Sequence, residues 1–169
     1  MSLWQFSKAL YQSAGVERCC IDLQDRWGAD VNLLLLCCWC GERGCSLDQA
    51  WFRATLTDPQ FTGWREKCVE PLRCLRRQLK TQSLRGAIEL RERVKVLELE
   101  AEKLEQDFLL QNLPDKAAVG HGMNLMWRNL KSYWLALHQQ EPPIVRFEPL
   151  LRGVYPGCSE AELRELVGV

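Results

Sequence analysis

The chain has 169 residues, with 22 Lys and Arg against 22 Asp and Glu, so its formal charge is zero. This length is enough for one domain with its own apolar core, and 26% charged with 47% hydrophobic residues excludes a disordered chain. Neutrality excludes a nucleic-acid binder held by bulk charge, although not a local charged patch.

In chain order, the first helix is expected from about Leu3 to Ser13, opened by the capping-box pair Ser2 and Gln5. Met1 to Lys8 lacks the pattern of a signal peptide. A second helix runs from about Val16 to Trp27, with Val16, Cys19, Cys20, Leu23 and Trp27 inward, and Gly28 suits a cap or bend. A third, from about Asp30 to Trp39, is apolar nearly all round and is the expected buried central helix. Its apolar run from Leu33 to Cys40 is far too short for a membrane span, which needs roughly 20 residues. Gly41 and Gly44 are expected to bracket a turn.

Ser46 with Gln49 is a second capping pair, opening a short helix with Leu47, Ala50, Trp51 and Ala54. Thr57-Asp58-Pro59 reads as a stop and restart. Trp64, Cys68, Leu72, Leu75 and Leu79 then keep helical spacing, and Pro71 inside this row means either a kink or a new start. Leu90, Val94, Leu97, Ala101, Leu104 and Phe108 alternate steps of four and three, a heptad-like seam. It implies a long helix packed antiparallel on the preceding one, with zipping between chains as the alternative. After Pro114 and Gly120-His121-Gly122, Met126, Leu130, Tyr133 and Leu137 mark another helix. Ile144 to Gly157 holds one short helix, and Ser159 with Glu162 opens the last. The expectation is a single all-α domain over residues 1–169, a bundle of about seven to nine helices. It divides into N-terminal helices (1–63), a long hairpin (64–113) and C-terminal helices (123–169).

The zero total hides an uneven layout. Residues 64–85 carry seven basic side chains (Arg65, Lys67, Arg73, Arg76, Arg77, Lys80, Arg85) and two acidic ones (Glu66, Glu70), net +5. Residues 86–107 carry four basic and seven acidic side chains, net −3. Packed antiparallel, such flanks attract and fix register. The alternative is an anion site at Arg73, Arg76, Arg77 and Lys80.

The nine cysteines, an odd number, include a Cys-x-x-Cys at Cys37 and Cys40. It lies in an apolar helix near its C-terminus, whereas a zinc knuckle or a low-pKa thiol needs a different setting. Reduced core packing is the expectation, with no metal site and no cofactor. His121 and His138 have no acid or nucleophile nearby in sequence, and no catalytic residue is assigned. Asp22 and Asp25 share a helix face, which leaves open an Mg²⁺-dependent diphosphate enzyme of the helical isoprenoid-synthase type. Against it, Asp30 suits an N-cap, and Asn32 suits a buried backbone partner.

Leu3-Trp4-Gln5-Phe6, Tyr11 with Gly15-Val16, and above all the run from Leu23-Gln24-Asp25 through Gly28-Ala29-Asp30-Val31-Asn32 to Leu35 carry a resemblance. Trp64, Pro71-Leu72-Arg73, Arg76-Arg77 and Glu98 to Glu102 add to it. Together they resemble a family of proteobacterial proteins of about this length, described as a domain of unknown function, over nearly the whole chain. The resemblance implies a bacterial, cytoplasmic, single-domain protein and brings no activity with it.

The resulting expectation is a small binding or regulatory adaptor with a protein or small-ligand partner and no membrane association. Its site would comprise Gln24, Asp30, Asn32, Arg73, Arg76, Arg77, Glu98 and Glu102. The alternatives are the diphosphate enzyme and a nucleic-acid or ribosome-associated factor using the basic 64–85 helix.

Overall fold

The computed structural model describes residues 1–114 and 120–167. Their regular structure is helical, without a strand, so the all-α class is what the chain adopts. Two compact units form, Met1–Ala54 with Pro114–Val169, and Thr55–Leu113. The last two residues of the expected C-terminal helices, 168 and 169, lie outside the described residues.

In the first unit, α1 (Leu3–Tyr11) starts at Ser2, whose hydroxyl accepts from Gln5 N while the Gln5 side chain accepts from Ser2 N. Helix α2 (Val16–Trp27) ends at Gly28, whose φ of 65° gives the left-handed cap that lets the next helix start three residues on. Helix α3 (Val31–Glu42) is the buried centre of this unit. Leu33, Leu34, Leu36, Cys37, Cys38 and Cys40 are wholly enclosed, each leucine contributing about 2 kcal/mol by leaving water.

Helix α8 (Met123–His138) packs along α3, and α1, α2 and α9 (Glu148–Val154) also touch it. The turn expected between Gly41 and Gly44 forms at Arg43 and Gly44, while Gly41 itself continues α3 where α8 comes closest. Helix α4 (Gln49–Thr57) is opened by Asp48 rather than Ser46, since Asp48 Oδ1 accepts from Trp51 N at 2.8 Å. A 3₁₀ turn (Ile144–Arg146) precedes α9. Helix α10 (Glu160–Val167) has the expected capping box, with Glu162 Oε2 accepting from Ser159 N and Ser159 Oγ accepting from Glu162 N.

In the second unit, Asp58 caps α5 (Pro59–Trp64) by accepting from Gln60 N and Phe61 N. The chain neither stops nor sharply breaks before Pro71. It widens into a π-helical turn (Arg65–Val69), in which Glu70 N donates to Arg65 O, and continues as α6 (Glu70–Leu79). Proline crowds the carbonyl four residues back and lacks an N–H, and a locally wider turn relieves both. Helix α7 (Ala87–Gln111) then returns antiparallel along α6 as one unbroken 25-residue helix.

Candidate functional site

The expected site residues fall into two groups, each within one unit. In the first unit, Asp30 is buried as the N-cap of α3. Its Oδ1 accepts from Leu33 N at 3.0 Å, and its own N–H donates to Tyr133 Oη at 2.7 Å. Asn32 is buried two residues later, and Gln24 is half-buried on α2. Asp22 pairs with Arg26 at 2.9 Å and faces Arg146 at 4.0 Å. Asp22 and Asp25 border an open groove of about 570 Å³ with Arg18, Arg26 and Arg146. The Arg146 guanidinium lies over the Trp27 ring at 4.3 Å. A carboxylate already answered by guanidinium groups is a weak ligand for Mg²⁺, which is satisfied chiefly by oxygen.

In the second unit, antiparallel packing brings Arg73, Arg76, Glu98 and Glu102 together. Arg73 Nη2 donates to Glu102 Oε1 at 2.7 Å, and Arg73 Nε to Glu98 Oε1 at 3.3 Å. Arg76 donates through Nε and Nη2 to the two oxygens of Glu98, a bidentate pair. Glu98 is buried, and its hydrogen bonds hold the Arg76 guanidinium pKa above its ordinary value. Trp64 Nε1 donates to Ala101 O at 3.0 Å, one turn along from the ion pairs. Arg77 and Lys80 are exposed on the same helix. The two guanidinium groups at the centre of the expected anion site are thus bound to carboxylates of α7, the geometry of a pair that sets register.

The seam of α7 divides lengthwise. Val94 and Ala101 are buried, whereas Leu90, Leu97 and Leu104 are 46%, 51% and 55% exposed. At 100° per residue these three leucines form one line along α7, on the side of the α6 contact away from Glu102. Leu72, Leu75 and Leu79 of α6 fall on the same side of the hairpin by the same geometry. None of the α6 side chains is buried, and Leu75 is 42% exposed. This leucine face is the largest departure from the expected site, and its signal was present in the seven-residue spacing.

Two further groups lie outside the expected site. Asn129, fully enclosed on α8, accepts from Leu47 N at 2.9 Å and donates to Cys45 O at 3.0 Å and Cys37 O at 3.4 Å. Cys40 and Cys45 sit thiol to thiol. Cys45 is held down to about 7 by the hydrogen bond from Cys40, whose own pKa is raised by the same contact and by burial. All nine cysteines are free thiols. Burial pushes Cys19 up to about 11 and Cys20, Cys37 and Cys38 higher still, which is the behaviour of core filler. Among the described residues, no group of three or more His, Cys, Asp or Glu side chains is placed to hold a metal ion, and no helix is long and apolar enough to cross a membrane.

The motif-bearing N-terminal helices and the charged hairpin lie inside one family match, "Protein of unknown function (DUF2390)", over residues 2–109. The chain belongs to this family. The DUF2390 match is shorter than the near-complete coverage expected from the resemblance. It takes in α1 to α6 and α7 almost to its end, while α8 to α10 lie beyond it. No curated protein and no solved structure matches the chain. The ion-pair cluster and the leucine face both fall within the DUF2390 span.

Proposed function

We propose that the chain is a helical protein-binding module of adaptor or regulatory type, acting in the bacterial cytoplasm, and that the α6–α7 hairpin carries its binding face. One observation carries this reading: the line Leu90, Leu97 and Leu104, with Leu75 beside it, stands open to solvent on a hairpin whose ion pairs already lock it together. Isolated exposed leucines are ordinary on any surface, but a row of them at helical spacing is what a partner helix engages. The ion pairs belong to the support of this face, since they hold α6 and α7 in the register that aligns the two leucine rows.

The test is photo-crosslinking in cells, with a benzophenone amino acid placed at Leu97 or, as a control on the far side of α7, at Lys95. A discrete protein adduct from position 97 and none from position 95 is the expected result. Equal or absent labelling at the two positions would overturn the reading.

A further inference from the structure

We propose that Cys40 and Cys45 are a redox-active pair: Cys45 reacts with a small-molecule disulfide, and Cys40 resolves the adduct into an internal Cys40–Cys45 disulfide. The end of α3 builds this pair. Arg43 is the C-cap, and Gly44 follows with a φ of 72°, the left-handed residue that closes a helix. Cys45 N then donates to Cys40 O at 2.9 Å, the hydrogen bond of a Schellman cap. In such a cap the second residue past the helix end folds back on the residue that opens the last turn, and here both are cysteine. Standard covalent lengths on either side of that hydrogen bond keep the two α-carbons within about 7 Å, which is the reach of a disulfide. Asn129 holds the strap in place from α8, donating to Cys45 O and Cys37 O and accepting from Leu47 N.

The two thiols divide the work. Cys45 is half-buried, so a small molecule can reach it, whereas Cys40 is wholly enclosed behind it. The hydrogen bond between them holds Cys45 down to about 7, which gives it thiolate character near neutral pH. The same contact keeps Cys40 protonated for as long as Cys45 is charged. The Cys45 thiolate attacks one sulfur of the small disulfide, whose S–S bond breaks, and one small thiolate leaves. Cys45 is then neutral, so the charge that raised Cys40 is gone. Cys40 attacks the Cys45 sulfur of the mixed disulfide, and its proton passes to the second small thiolate as that leaves. The protein gives up two electrons, and the small disulfide ends as one thiolate and one thiol.

The other cysteines are set differently. Cys37 and Cys40 lie three apart in unbroken helix, where β-carbons stand about 5–6 Å from one another. A disulfide needs them at roughly 3.5–4.5 Å. Cys19 and Cys38 donate to the carbonyls of Arg146 and Leu34, and burial pushes both thiols up. Cys74, exposed on α6, is the reference for a thiol that reacts through accessibility alone.

The test exposes the folded, purified full chain to oxidised glutathione near pH 7, then blocks remaining thiols with N-ethylmaleimide. Tandem mass spectrometry of the peptides locates each product, and circular dichroism confirms folding. The peptide holding Cys40 and Cys45 should lose two hydrogens through a bond between these two residues, and reduced glutathione should restore it. Cys74 should stop at the glutathione adduct. Cys40→Ser should leave Cys45 as a stable adduct, with Cys40→Ala as the second variant if the buried hydroxyl disturbs folding. Cys45→Ser should leave Cys40 reduced. A glutathione adduct that persists on Cys45 in the wild-type chain overturns the proposal. So does a bond between Cys37 and Cys40, a Cys40 that oxidises equally well in Cys45→Ser, or a pair that stays reduced while Cys74 reacts.

Discussion

Gly41 and Met126 leave no room for a side-chain carbon between them. A Cβ built on Gly41 would stand 2.5 Å from Met126 Cα, and Gly122 N donates to Gly41 O at 2.9 Å just beside it. The backbones of α3 and α8 meet at this point, and the obstacle is main chain that cannot swing aside. Gly41→Ala should therefore cost about 3 kcal/mol by forcing the helices apart. Gly63, inside α5, has nothing within 4 Å of the same position. Gly63→Ala should stabilise the chain by about 0.5 kcal/mol through reduced backbone freedom when unfolded. Urea unfolding of the two variants checks the opposite signs, and equal effects would contradict the close approach.

Asn129 satisfies three backbone groups from two segments with one amide. Asn129→Leu keeps the branched shape and leaves Leu47 N–H and Cys45 C=O without that partner, at a cost of about 3 kcal/mol. Amide hydrogen exchange should show Leu47 losing protection selectively. Unchanged exchange there would mean that the loop is held by other contacts.

The thiols give the chain a pH profile with a definite sign. Cys45, with its folded pKa lowered to about 7, adds stability that is absent below pH 7 and grows towards the ordinary value of 9.0. Cys19, Cys20, Cys37 and Cys38 have raised folded pKa values, so above 9.0 the unfolded chain releases protons that the folded chain keeps. Stability should fall as pH rises through that value. Thermal unfolding from pH 6 to 11 checks both limbs. Iodoacetamide should alkylate Cys45 with a midpoint near pH 7, and Cys40→Ala should move that midpoint upward by removing the hydrogen bond to the thiolate.

Glu98 answers two guanidinium groups while nearly out of solvent. Glu98→Gln keeps the shape and removes the charge, at a cost of about 3 kcal/mol. Replacing Arg73, Arg76, Glu98 and Glu102 together with leucine should recover most of that loss, because no member of the cluster then loses its counter-charge. Chemical denaturation of both variants tests this, and a Glu98→Gln variant as stable as wild type would show that the cluster contributes nothing to the hairpin.

The legible parts of this sequence are those where one residue type does one local task. Ser2, Asp30, Asp58 and Ser159 sit beside the helices they cap, and the run from Leu33 to Cys40 could only be central. Asn129 was illegible because its partners lie more than eighty residues away, and nothing in its neighbours distinguishes it from a solvated asparagine. The seam on α7 was visible, but its division into Val94 and Ala101 inside and Leu90, Leu97 and Leu104 outside depends on where α6 sits. The cap at Asp48 was missed because Ser46 fitted the same pattern two residues earlier. The expected site mixed both situations. Arg73, Arg76, Glu98 and Glu102 follow from charge layout and antiparallel return, whereas Asp30 does a capping task that its sequence position already suggested.

The π-helical turn at Arg65–Val69 adds one residue to a turn, so everything before it is rotated by about 100° relative to α6. That rotation lets Phe61 stack on Phe108 at 6.0 Å and Trp64 reach Ala101 while α6 keeps its arginines on Glu98. The extra residue works as a phase adjuster between two stretches that share one track. Removing any single residue there would mis-aim one of the two halves and return the crowding at Pro71, so length in this short segment is constrained more tightly than composition.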